Sequence, residues 1–95
     1  MVWESASRDD LSGLLSSFAV KNHVSEYLKT AKPDSVCAVY MMDLENFKQV
    51  NDTLGHPMGD QVIQSVGRVL SSLFRASDIV GRMEEDKFLA FIGGP

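Results

Sequence analysis

The densest run of side chains able to do chemistry is Asp43-Leu44-Glu45-Asn46-Phe47-Lys48-Gln49-Val50-Asn51-Asp52, followed closely by Gly55-His56-Pro57-Met58-Gly59-Asp60. Hard carboxylate oxygens suit Mg²⁺ held against phosphates, and a lysine supplies a matching positive charge. Asp43 directly follows an apolar run at residues 36–42. The carboxyl ends of strands are where α/β-type sheets present ligands, which makes Asp43 the first metal candidate. Spacing alone favours a plainer reading, in which Asp43 caps a helix by accepting from its exposed N-terminal amides. Asn51 and Asp60 read equally as helix-surface and first-turn residues, the latter favoured by the helix dipole. His56 and His23 have no second imidazole nearby, so neither is assigned to a metal.

Two further groups carry charge in a pattern. Arg75-Ala76-Ser77-Asp78 sets a guanidinium three residues before a carboxylate. Read locally, Arg75 complements a helix C-terminus and Asp78 begins a strand or turn. Glu84-Glu85-Asp86-Lys87 reads as the solvated tip of a hairpin, charged for solubility.

These residues need elements to position them. Val20, Val24, Tyr27, Leu28 and Ala31 fall on one helical stripe able to bury against a sheet, with the helix ending near Lys32-Pro33. Residues 36–42 are apolar without alternation, the pattern of a central strand buried on both faces. Cys37 lies inside that run and is expected to be a buried, inert thiol. Leu44, Phe47, Val50 and Leu54 keep helical spacing up to a capping Gly55. After Pro57, a residue suited to a first helical turn, Val62, Ile63, Val66, Val69, Leu70, Leu73 and Phe74 form the apolar face of the longest helix. Residues 79–83 and 88–92 are spaced as a hairpin. The predicted order is helix, strand, helix, helix, hairpin.

The stretch from Asp43 to Asp60 resembles the D-x-D-x-F-K-x-x-N-D-x-x-G-H-x-x-G-D pattern of GGDEF (diguanylate cyclase-like) domains, with Glu45 for the second Asp. Upstream, Asp9-Asp10-Leu11-Ser12-Gly13-Leu14 resembles the family's D-x-L-T-G-L segment, with Ser16-Ser17 where Asn-Arg usually follow. The resemblance implies an α+β, α/β-sandwich fold related to the class III nucleotide cyclases, a central, mainly antiparallel sheet flanked by helices. Residues 1–10 are then a linker or the end of a preceding connector, and 11–95 the N-terminal part of the domain, with roughly the later third to half absent. Members condense two GTP molecules into cyclic di-GMP across an antiparallel dimer, so a homo-oligomer is expected. By the same resemblance Asp43, the Leu44 carbonyl and Asp86 would hold Mg²⁺. Phe47, Lys48, Asn51 and Asp60 would form the nucleotide site, Lys48 meeting phosphate and Asn51 and Asp60 the guanine edge.

The name motif, Gly-Gly-(Asp/Glu)-Glu-Phe, falls on Glu84-Glu85-Asp86-Lys87-Phe88. Glycines there reach positive φ freely and let amides approach a triphosphate. Glu84 and Glu85 forfeit both, at an expected strain of about 1 kcal/mol for a residue forced left-handed. Lys87 reverses the charge of the fourth-position Glu, the family's transition-state group, so no catalytic residue is expected. Arg75 and Asp78 match the R-x-x-D site at which cyclic di-GMP binds members of the family as a feedback ligand, where an arginine can bond guanine O6 and N7 bidentately and a carboxylate can accept from the donor edge; at this position that reading stands level with the local one.

The chain has 95 residues, 13 acidic and 9 basic, for a net charge of −4. No basic cluster could neutralise a run of phosphates, which argues against nucleic acid as a partner. No segment is long and apolar enough to span a bilayer, and the expected location is cytoplasmic. The expectation is a regulatory module of a larger bacterial signalling protein, binding cyclic di-GMP or GTP beside other domains of the same polypeptide. The alternatives are an active diguanylate cyclase and a purely structural dimerisation or signal-transmission domain.

Overall fold

In the computed structural model, which describes residues 7–93, a serine sets the first boundary. Ser16 ends a two-residue strand, β1 (Leu15–Ser16), and its hydroxyl accepts from the Ala19 amide at 3.2 Å, capping helix α1 (Ser17–Thr30). Strand β2 (Cys37–Asp43) follows, then helices α2 (Phe47–Leu54) and α3 (His56–Leu73), and the hairpin β3 (Ile79–Glu84) and β4 (Lys87–Gly93). Gly55 separates α2 from α3 at φ 89°, a region closed to most side chains, and its amide closes α2 onto the Asn51 carbonyl. Pro57 sits in the first turn of α3.

The four strands run in the order β1-β3-β4-β2. β4 pairs antiparallel with both β3 and β2, while β1 adds a short parallel pairing to β3. Val80, Phe88 and Ala90 meet Ile63 and Leu70 of α3, Phe47 of α2 and Leu14 in one core, with Phe88 and Ile63 fully buried. On the opposite face Tyr27 of α1 stands edge-on to Phe91, ring centroids 5.2 Å apart. Gly67 of α3 lets that helix lie against the Ser12 main chain, since a Cβ there would collide with the Ser12 carbonyl. The mixed α+β architecture, a sheet with helices on both faces, is the one expected.

Three expectations need correction. Residues 36–42 do not form a central strand buried on both faces, because β2 is the edge of the described sheet and α1 and α3 sit over β3 and β4 instead. Val39, Tyr40 and Met41 are consequently 53%, 53% and 62% exposed. Cys37 is exposed for the same reason, not buried. The apolar faces of the helices are also incompletely covered: Leu28, Val69 and Leu73 face solvent, as does Leu54. β1, too short to show any alternation, was not predicted. The expected linker lies largely outside the described residues, although Arg8 already bridges to Leu15. Among the described residues no helix is long and apolar enough to cross a membrane.

Candidate functional site

The hairpin tip is built by register. β3 and β4 slip by one residue between Arg82 and Glu84, so Glu84 pairs with Lys87 and the turn falls on Glu85-Asp86. Among the described residues only Asn46 is a non-glycine with positive φ. Glu84 and Glu85 therefore pass the turn without entering the left-handed region, and the strain expected of them is not present. The bulge takes up the geometry that glycines would otherwise supply. Arg82 braces the tip from inside, its Nε and Nη2 donating to the Glu85 carbonyl at 3.0 and 2.7 Å and its Nη1 reaching both oxygens of Asp9 at 3.3 Å. Burial pushes the Asp9 carboxyl up, but bonds from the Ser12 amide and hydroxyl and the Arg82 charge outweigh it and leave the group below its ordinary value.

Across β2 and β4, Asp43 stands directly opposite Lys87. The Lys87 ammonium donates to Asp43 Oδ1 at 3.1 Å, and the next amide, of Leu44, donates to the Asp86 carbonyl at 3.0 Å. The fold thus gathers Asp43, Leu44, Asp86 and Lys87 at one end of the sheet. The hydrogen bond to Asp43 and its charge raise the Lys87 pKa, against the opposing effect of burial, so the amine is charged at neutral pH. Mg²⁺ needs a near-octahedral set of hard oxygens at close range. The Lys87 ammonium sits on Oδ1 of the leading carboxylate, where it competes with an ion for that oxygen and offers no acceptor of its own, so the side chains at this end fit that ion poorly.

The nucleotide candidates divide. Lys48 and Asp60 are exposed, whereas the Phe47 ring is 5% exposed and belongs to the core, where it fixes α2 against the sheet. Asn51 lies between, its carboxamide packed against Gly59 at the start of α3. Its Oδ1 is buried without a hydrogen-bond partner, an arrangement proteins seldom leave unless something else completes it.

Arg75 and Asp78 form the turn between α3 and β3. The Asp78 carboxylate accepts from the Arg75 amide at 2.9 Å, and the Asp78 amide donates to the Arg75 carbonyl at 2.9 Å. This turn uses the main chain of Arg75, not its guanidinium, and one carboxylate oxygen of Asp78. It borders a cavity of about 460 Å³ whose lining also includes Arg8, His23 and Phe74. Neither Arg8 nor His23 is legible at this place from local sequence, because Arg8 is carried there by its bridge to Leu15 of β1 and His23 by α1.

A family model for "Diguanylate cyclase, GGDEF domain" matches residues 6–94, and the chain belongs to that family. It is 35% identical over 83 residues to the probable diguanylate cyclase DgcT of Escherichia coli K12, an alignment covering 87% of this chain and 18% of that protein. It is 36% identical over 84 residues to the cyclic di-GMP phosphodiesterase NbdA of Pseudomonas aeruginosa, covering 87% of this chain and 11% of the relative. Among solved structures, the GGDEF domain of DgcB from Caulobacter crescentus in complex with c-di-GMP matches with a TM-score of 0.80 at 26% identity, covering 95% of this chain and 53% of that one. The chain therefore spans less than a fifth of these curated relatives and about half of the solved domain.

Proposed function

We propose that this is a catalytically degenerate GGDEF domain that regulates a larger cytoplasmic signalling protein by binding cyclic di-GMP at Arg75 and Asp78. The observation that carries the loss of catalysis is the Lys87 to Asp43 contact at 3.1 Å, which sets a positive charge where the family motif has its acid. Lys87, held charged by Asp43, cannot act as a base toward a 3′-hydroxyl from the motif's fourth position, and Glu84 and Glu85 add negative charge where a triphosphate would approach.

Binding is supported by different residues. The Arg75 guanidinium is free of the turn that holds its backbone and has the planar donor fork that matches guanine O6 and N7. Asp78 commits one oxygen to the turn, and a carboxylate has acceptor capacity on the other for the base's donor edge. Arg8, on the same cavity, suits the phosphates of the ligand. That a solved relative binds c-di-GMP, and that another relative is a phosphodiesterase, fits a domain that senses this nucleotide without making it. The whole protein incubated with GTP and Mg²⁺ should yield no cyclic di-GMP by chromatography, while labelled cyclic di-GMP is retained on a filter with it. Product formation above the level of an Asp43→Asn control contradicts the degenerate reading.

A further inference from the structure

One end of the sheet gathers Asp43, Leu44 and Asp86 and sets the Lys87 ammonium against the first of them. β2 and β4 pair without interruption from Cys37 opposite Gly93 to Asp43 opposite Lys87, so the register that brings Lys87 to Asp43 is fixed by the whole ladder. The Leu44 amide to Asp86 carbonyl bond, at 3.0 Å, holds the same register one step beyond. The register thus sets Lys87 directly opposite Asp43 on the same face of the sheet, and its ammonium reaches Asp43 Oδ1 at 3.1 Å.

We propose that Lys87 is a built-in counterion that takes the place of a divalent cation at Asp43 and Asp86, so that this end of the domain excludes Mg²⁺ and Mn²⁺. A divalent ion would have to approach a carboxylate oxygen to about 2.1 Å and complete an octahedron of oxygens. An ammonium offers donors and no acceptor, so it cannot become part of that shell, and it repels a second cation facing the same carboxylate. The side chains of Lys87 and Asp43 are 37% and 64% exposed, so an ion has an open route to the carboxylate. Exclusion is then by charge and not by blockage, and a neutral side chain of similar length should lift it.

The inference does not depend on cyclic di-GMP binding at Arg75, since none of its residues belongs to that turn, and each can fail alone. The experiment is a titration of the full chain with Mn²⁺, following loss of the free-ion electron paramagnetic resonance signal, with circular dichroism confirming the fold of each variant. The wild type should show no saturable site. Lys87→Met should gain one site, about tenfold or more tighter than any binding by the wild type, and Lys87→Glu should gain it too. Adding Asp43→Asn to Lys87→Met should abolish the gain. Equal Mn²⁺ binding by wild type and Lys87→Met overturns the proposal, and so does a failure of folded Lys87→Met and Lys87→Glu to bind. Lys87→Gln replaces the methionine variant should that one not fold.

Discussion

Arg82, Lys87 and Arg75 each sit near a carboxylate, yet the three contacts differ in what they do. Arg82 with Asp9 is the best shielded pair, at 14% and 24% side-chain exposure, and it ties the N-terminal loop to the hairpin tip. Asp9→Ala leaves Arg82 without its carboxylate and the Ser12 amide without an acceptor, and should cost about 1–3 kcal/mol in urea unfolding. Because the folded Asp9 carboxyl is held below its ordinary value of 3.8, its contribution is fully present above that value and is lost as pH falls through the folded value. The stability difference between wild type and Asp9→Asn should therefore be constant at neutral pH and shrink below about pH 4. The Arg75 guanidinium takes no part in the turn that its main chain closes with Asp78, so Arg75→Ala should leave the melting temperature unchanged. Arg8→Ala should weaken cyclic di-GMP binding severalfold, read by calorimetry, without abolishing it.

At the scale of the elements, the hairpin shows how a lost motif can be accommodated. Glycine at this tip would serve positive φ, but the bulge between Arg82 and Glu84 lets the chain turn at negative φ. Restoring the family's residue by Glu85→Gly should accordingly lower stability by about 0.4–1 kcal/mol, through added freedom in the unfolded chain, and relieve nothing. Thermal melts of the two proteins decide this. Gly67→Ala on α3 should be worse, by about 1–3 kcal/mol, because its Cβ meets the Ser12 carbonyl of a loop already fixed by Asp9. The helices and the hairpin were legible because spacing, Pro57 and Gly55 are local signals. β1 was not, since two residues carry no periodicity. The turn conformation was not either, since the bulge depends on how two strands pair and not on which residues lie at the tip.

At the scale of the whole molecule, the misread element is β2. An unbroken apolar run marks a strand that is covered on both faces, yet α1, α2 and α3 leave Val39, Tyr40 and Met41 open and the described sheet stops at β2. The run records what a strand is suited to meet and cannot say which segment meets it. An exposed apolar edge invites pairing with another strand. The isolated 95-residue chain should therefore associate with rising concentration in light scattering, and Met41→Lys should reduce this. The candidate site was legible where the family pattern is contiguous, at Asp43 to Asp60 and at Arg75 to Asp78. The Lys87 to Asp43 contact spans the sheet, and the placement of Arg8 and His23 beside Arg75 spans the chain, so neither could be read from local sequence.

Calorimetric titration of the complete protein with cyclic di-GMP decides whether the domain receives that nucleotide at Arg75. Saturable binding to the wild type should be lost in Arg75→Ala while both proteins melt at the same temperature. Absence of binding to the wild type, or equal binding to both, would contradict it.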